Sequence, residues 1–402
     1  MHRITVIGGG LAGLTAAIAA AEAGAPVTLH EAHHTLGGRA RTAPGPYRVN
    51  EGPHAFYAGG PHWPWLRQRG LLGPLASLPP LEAARLRFHR RGRLRRMPPA
   101  AMLRLLLTRR APVDLDFTAW ATGVVGAAGA RAAANYAAVA LFHHAPGRLS
   151  AAFVQERFRR AAKVPPEAHY VRGGWGTTIE RMADYAWKRG VRIETGSRVD
   201  TLPTDQGGPV IVATALPAAR ALLGDASLTW DSGRTVLLDL AVRTRRGDAF
   251  AVSDLDSPGW IERFTAQDPS LAPPGEQLIQ GQLPIAPDET RADGVARAER
   301  LLDLGFPGWR ERTVWRREST ANGRTGAVDA PGTTWHNRPA VDRGEGVYLA
   351  GDQVAAPGVL CEVSFNSALT AAALALDEWR TGRGRGGGRG EGRHVSAPLN
   401  TP

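Results

Sequence analysis

The stretch RITVIGGGLAGLTAAIAAAEAGAPVTLHE, residues 3–31, decides the fold. Arg3 to Ile7 is a short β-rich run, Leu14 to Ala23 is a helix-forming run that Gly24 ends, and Pro26 to Glu31 is a second β-rich run. Between the first strand and the helix stands GGGLAG, in which Gly8, Gly10 and Gly13 keep the G-x-G-x-x-G spacing. Each glycine has a physical task. Gly8 permits the tight turn, Gly10 lets backbone N–H groups approach a pyrophosphate, and Gly13 lets the helix pack close on the strand. Leu11 and Ala12 open the helix, whose positive dipole end then faces the phosphates. Glu31, the acid that ends the second strand, is placed to accept hydrogen bonds from an adenosine ribose, and its charge disfavours a 2′-phosphate. Strand, glycine turn, helix and strand in this order predict a dinucleotide site.

Working outward, 402 residues allow roughly two to four domains and a sizeable core. With 43% hydrophobic and 21% charged residues, the chain is globular, and disorder as a class is excluded. One cysteine, Cys361, excludes a disulfide scaffold and a Cys-rich metal site. His33 with His34 and His143 with His144 lack metal-ligand spacing, so no metal is expected. The net charge of +12 is local. Ala83 to Arg110 holds ten arginines and no acid, and the chain from Arg380 onward has five arginines against Glu391. The remainder is close to neutral, so a general nucleic-acid binder is excluded. Val6 to Ala21 is uncharged but broken by four glycines, which argues against a secretory leader, and no run of about 18 clean apolar residues occurs. A cytoplasmic protein is expected. The segment 85–110, with PPAAMLRLLLTRR, has the pattern of a helix that rests on anionic lipid at the inner membrane surface; the plainer reading packs Leu103, Leu106 and Leu107 inward.

Three further patches carry a resemblance. LGGRART (Leu36 to Thr42) with VNEGPHAFY (Val49 to Tyr57), then Tyr170 to Leu202, then Glu345 to Leu376 with its AGDQ, are similar in type and order to segments of the flavin amine oxidase and phytoene desaturase superfamily. The resemblance implies FAD as cofactor. It implies that Gly38 of the doublet passes the pyrophosphate and that Arg39 contacts it, with Arg41 a weaker second candidate. Pro53 and His54 lie in a strand heading for the flavin, and Val199 touches adenine through its main chain. Gly351 allows close approach to the ribityl chain, Asp352 accepts from a ribityl or pyrophosphate-side hydroxyl, and the Leu360 and Cys361 amides meet the flavin ring. A helix from about Ser364 to Arg380 aims its N-terminus at the ring edge that becomes anionic on reduction.

The fold so implied is α/β: a Rossmann-like FAD-binding domain built from residues 1–84, 170–227 and 335–380, with an interleaved α+β substrate domain from 85–169 and 228–334. Residues 381–402 are expected to be a disordered Arg/Gly-rich tail. The implied activity is removal of a hydride from a largely apolar organic substrate, an isoprenoid or secondary metabolite, to flavin N5, with oxygen or a quinone as electron acceptor. The strand Val49 to Tyr57 resembles the desaturase branch. Lys188 is the last lysine, so the lysine with which flavin amine oxidases contact N5 through water has no counterpart in the 228–334 segment of the second domain. Amine or porphyrinogen oxidation is the alternative within enzymes, and a non-catalytic flavin-binding protein is the alternative outside them. No catalytic side chain is assigned: His54, Glu51 and Glu362 each have a plain structural reading, and Cys361 reads as inert packing.

Overall fold

The computed structural model describes residues 2–52, 55–203 and 207–382; Pro53, His54 and the tail from residue 383 lie outside the described residues. A five-stranded parallel sheet runs in the order β14 (Val347–Leu349), β8 (Val210–Val212), β1 (Ile4–Ile7), β2 (Val27–His30), β7 (Arg192–Glu194). β1, β8 and β14 are buried along their whole length, as strands covered on both faces must be. Helix α1 (Leu11–Glu22) packs on this sheet and against two further helices, α4 (Gly176–Lys188) and α6 (Cys361–Thr381). Gly24, at φ +88°, turns the chain out of α1. Thus strands from the beginning, middle and end of the chain share one apolar core.

A seven-stranded mixed sheet has the order β13 (Thr313–Ala327), β9 (Ser232–Arg243), β12 (Glu276–Pro284), β11 (Gly259–Arg263), β10 (Ala251–Asp254), β4 (Leu86–Arg90), β5 (Arg93–Arg95). Its central strands put alternate residues on opposite faces. Leu238, Leu240, Ile279, Ile261 and Val252 pack with Val295, Ala298, Leu301 and Leu302 of α5 (Arg291–Gly305). Residues on the opposite face include Asp239, Gln280 and Glu262, which register directly across β9, β12 and β11. Two helices, α2 (Phe117–Ala137), broken at Gly126, and α3 (Ala151–Ala161), pack together beside this sheet. A short antiparallel pair, β3 (Ala55–Tyr57) with β6 (Ala168–Tyr170), lies between the two large sheets in sequence and joins them through side chains.

The arginine-rich segment differs from its reading. Residues 86–95 form a hairpin, and PPAAMLRLLLTRR gives only one helical turn, Ala100–Leu103, and a 3₁₀ turn, Arg104–Leu106. Met102 and Leu105 are buried and Leu106 packs against them as expected, whereas Leu103 is 37% and Leu107 90% exposed. The reason is local: Gln155 of α3 donates to Thr108 Oγ1 and to the Arg109 carbonyl, so the chain leaves the helix before a second turn can bring Leu107 inward. No helix among the described residues is long and apolar enough to cross a membrane.

Candidate functional site

The three fingerprint glycines serve three different purposes. A Cβ at Gly13 would lie 1.8 Å from the Gly8 carbonyl oxygen, so this glycine lets α1 touch β1. Gly8 holds φ +109°, and a Cβ there would strike the Ala213 carbonyl at 2.6 Å. Gly10 is different: its backbone is extended, at φ −80°, and a Cβ would meet nothing closer than the Gly37 oxygen at 3.9 Å. Nothing in the protein requires a glycine there. Gly351, after β14, is alike, with its nearest neighbour at 3.8 Å. Both glycines follow parallel strands on either side of β8, at the carboxyl end of the sheet, where a bound group needs to approach backbone. Leu11 and Ala12 begin α1, and no side chain caps its N-terminus. These residues fit a dinucleotide.

Glu31 stands beside this space, 7% exposed. It accepts from the Gly9 amide at 2.8 Å, from the His33 amide at 2.9 Å and from the His33 ring at 2.7 Å. Burial opposes its charge, but the His33 and Gly9 donors outweigh burial and hold the carboxyl below its ordinary range. The Ser197 amide donates to the Glu31 carbonyl, which draws the irregular segment after β7 to the end of β2. Val199 follows there, half-buried, and its main chain pairs with no backbone group among the described residues.

The glycine doublet docks on the fingerprint through the Gly37 amide and the Gly9 carbonyl, 2.8 Å apart, and Gly38, at φ +53°, lies against Gly10. Arg39 and Asp352, expected as separate contacts to one cofactor, meet each other. Their ion pair is bidentate, with Nη2 to Oδ1 at 2.8 Å, and Arg39 keeps about a third of its side chain exposed. Burial works against Asp352, and the Arg39 charge nevertheless holds its carboxyl low. Arg41 forms an outlying pair with Glu51 at 2.9 Å, both partly exposed. The two arginines are similarly exposed and differ in their acids, since Asp352 is mostly buried and Glu51 is not.

Leu360 adopts φ +54°, ψ −117°, a costly backbone for a leucine, and leads into α6 at Cys361, three residues earlier than the expected Ser364. Burial and the neighbouring Glu362 push the Cys361 thiol far up, so it stays protonated. Glu362 is 2% exposed and takes both Arg160 nitrogens, while Arg160 also binds Glu167. This network fixes α3 to the start of α6, which makes Glu362 a structural carboxylate. The Gly351 amide donates to Ser367 Oγ at 2.9 Å, fixing the other side of the same helix end.

Sequence reasoning missed a second group. Glu262 is buried and accepts from Trp260 Nε1 at 2.8 Å, Gln267 Nε2 at 2.7 Å and the Tyr170 hydroxyl at 3.4 Å, with no cation paired to it among the described residues; burial lifts its pKa to about 7. On the same face, Ser253 Oγ and Gln282 Oε1 are buried without partners among the described residues. The available signal was a polar residue inside an apolar β run, as in VLLDLAV, QLIQGQL and GWIERF. His89, Asp254 and Asp256 also converge, but Asp254 is taken by His89 and by the Asp256 and Ser257 amides, and no ion is needed to explain it.

Comparison with known proteins agrees with this architecture. Residues 6–68 match the NAD(P)-binding Rossmann-like domain. That match covers the fingerprint, Glu31 and the doublet. No curated protein matches the chain. Among solved structures, an oxidoreductase from Methanosarcina mazei superposes with a TM-score of 0.75 at 18% identity, covering 92% of this chain and 100% of that one. Cyclohexylamine oxidase from Brevibacterium oxydans gives 0.69 at 16%, covering 94% and 99%. A putrescine oxidase redesigned in its cofactor binding gives 0.66 at 14%, covering 94% and 99%. The fold is therefore the α/β fold of these oxidoreductases, Rossmann-like with a parallel sheet, as the sequence patches implied.

Proposed function

We propose that the protein is an FAD-dependent oxidoreductase that removes a hydride from a largely apolar organic substrate. The observation that carries this reading is the pair Gly10 and Gly351, two glycines at the carboxyl end of the parallel sheet that neither a positive φ nor a close contact within the described residues explains. FAD, when bound, supplies N5 as the hydride acceptor. Around it, Gly10 and the first turn of α1 hold the pyrophosphate, and Glu31 takes the ribose. Arg39 and Asp352 bear on the phosphate and ribityl side, and Val199 offers main chain to adenine. The N-terminus of α6 stabilises negative charge that develops on reduction. The match to a nicotinamide-type domain does not separate FAD from NAD, because both share the ADP half; the glycine doublet with Arg39 favours FAD. Oxidation of an amine is the second reading, favoured by the buried acceptors Glu262 and Gln282 and opposed by the lack of any lysine after Lys188.

Purified protein should be yellow and release flavin on denaturation. Mixed anaerobically with polyene or isoprenoid, amine and porphyrinogen panels, its flavin should bleach with the first. Protein that is colourless, cannot be reconstituted with FAD and binds NAD sinks the reading; bleaching by simple amines alone transfers it to amine oxidation; bleaching only by chemical reductant makes the protein a flavin-binding module.

A further inference from the structure

The arginines of residues 83–110 differ from those elsewhere in what they meet. Of the ten arginines between residues 291 and 343, eight reach a carboxylate. Of the ten in 83–110, Arg85 alone does, with Glu82 at 3.0 Å; the other nine have no carboxylate within ion-pair distance among the described residues. Seven of the nine are exposed, Arg93, Arg95 and Arg104 among them. Burial and the charges of Arg96 and Arg85 lower the pKa of Arg87, so like charges crowd where the hairpin opens. β5 is the outermost strand of the seven-stranded sheet, and Arg90 registers with Arg93 and Phe88 with Arg95, so these four side chains share one face. Phe88 belongs to one apolar cluster with Met102 and Leu105, which seats the turn 100–106 beside that face. Aliphatic surface is exposed here too. Five of the ten exposed large apolar side chains among the described residues, Leu81, Met97, Leu103, Leu107 and Leu115, fall within 81–115.

A charged edge strand keeps sheets from joining edge to edge, and Arg93 and Arg95 suffice for that. That role explains neither Arg104, Arg109 and Arg110, which lie outside the strand, nor Leu107 at 90% exposed. Cations without acids call for anions from outside the chain, and exposed aliphatic side chains beside them call for an apolar phase. An anionic bilayer supplies both at one surface. We propose that the hairpin 86–95 and the turn 97–107 dock on an anionic lipid bilayer, with the arginines at the headgroup phosphates and Met97, Leu103 and Leu107 in the interface. The docking element is a hairpin and a turn, not the amphipathic helix that PPAAMLRLLLTRR suggests. A nucleic acid also supplies phosphates, but single-strand binding stacks bases on exposed aromatic side chains, and the one Phe, Tyr or Trp of residues 83–110 is Phe88, 5% exposed. The surface needs no cofactor, so it stands whether or not the protein holds flavin.

The test co-sediments the full chain with vesicles of phosphatidylcholine alone and of phosphatidylcholine and phosphatidylserine in equal parts. The mixed vesicles should bind it at least about tenfold more tightly, a ratio that two arginines at an anionic surface already supply. Arg93→Glu with Arg95→Glu should remove most of that ratio. Met97→Ser with Leu107→Ser should weaken binding to the mixed vesicles by roughly tenfold, because apolar area no longer leaves water. These four side chains are exposed, and far-UV circular dichroism checks that each variant folds as the parent does. The C-terminal arginines are the control: Arg383→Gln, Arg385→Gln, Arg389→Gln and Arg393→Gln together should leave most of the ratio in place. Equal binding of the parent to both vesicles overturns the proposal, and that measurement needs no variant. Loss of the ratio in the C-terminal variant overturns it too, since the tail is then the lipid contact. So does unchanged binding after Met97→Ser with Leu107→Ser, which leaves a charge effect without docking. Tighter binding to poly(U) than to the mixed vesicles at the same salt overturns it in favour of a nucleic-acid surface.

Discussion

The two large sheets solve the problem of holding a ligand in opposite ways. In the five-stranded sheet the strands β1, β8 and β14 bury nearly only apolar side chains, and what they offer a ligand is backbone at their carboxyl ends: Gly10 after β1 and Gly351 after β14. In the seven-stranded sheet one face is apolar against α5, but the other buries a polar row that runs Arg317, Asp239, Gln280, Glu262 across four strands. Arg317 pairs with Asp239 at 2.8 Å and Gln280 donates to it, while Glu262 at the end of the row has neutral donors only. A site made of backbone demands glycine and a fixed spacing. A site made of side chains demands only that an alternating strand carry the right residue at one position.

The largest expected effect separates two kinds of glycine within the first sheet. Gly13→Ala forces a Cβ into the Gly8 carbonyl, backbone against backbone, and should cost roughly 4 kcal/mol or more, seen as loss of soluble protein or a collapsed urea midpoint. Gly10→Ala meets no atom within 3.9 Å and should cost about 1 kcal/mol or less in the flavin-free protein, yet abolish flavin retention. If Gly10→Ala stays yellow with unchanged flavin affinity, the backbone site is not where the first sheet holds its ligand, and the contrast between the sheets breaks.

The second sheet makes its own prediction through pH. Folding raises the Glu262 pKa from about 4.5 to about 7, so between those values the folded protein binds a proton that the unfolded chain releases. Stability from this group therefore falls as pH rises through that window, by up to about 3 kcal/mol, and the loss persists above it. Glu262→Gln keeps a neutral hydrogen-bonding side chain and removes the titration. The variant should thus gain stability relative to the parent at pH 8 and match it near pH 4.5, by urea unfolding at both. A difference between the two proteins that does not change with pH would mean that Glu262 is ionised in the fold, and that the polar row carries a charge that something else neutralises.

The same contrast explains what was legible in the sequence. Gly8, Gly10, Gly13 and Glu31 were readable because a strand, glycine turn, helix and strand fix their spacing within one short stretch of chain, and Gly38 was placed by resemblance. Asp352 and Arg39 could be placed by resemblance, but their mutual ion pair spans 313 positions and had no local sign. Glu262 and Tyr170 were not read at all: each looks like an ordinary member of its strand, and only tertiary packing shows that the Tyr170 hydroxyl meets the buried Glu262 carboxyl. Within residues 100–107 the error was one of length. A helical period assigns Leu103 and Leu107 to one face, but a single turn has no second repeat to which the period can apply.

The smallest effects come from two charges near the first site, and their ratio sharpens the claim that only interior groups matter there. Glu31→Ala removes a buried acceptor that the Gly9 and His33 amides use and, on the proposed reading, the ribose contact as well. Flavin affinity should fall by about 1 to 3 kcal/mol, measured by ultrafiltration against free FAD. Arg41→Ala breaks a pair with Glu51 in which both side chains remain about a third exposed. Water already solvates both charges, and holding two long side chains in one geometry costs entropy, so stability and flavin affinity should each change by less than about 0.5 kcal/mol. Arg41 lies two residues from Arg39, within the same motif, and differs only in which way the chain turns it. If its removal costs as much flavin affinity as that of Glu31, the cofactor's phosphates lie nearer to Arg41 than to the Arg39–Asp352 pair.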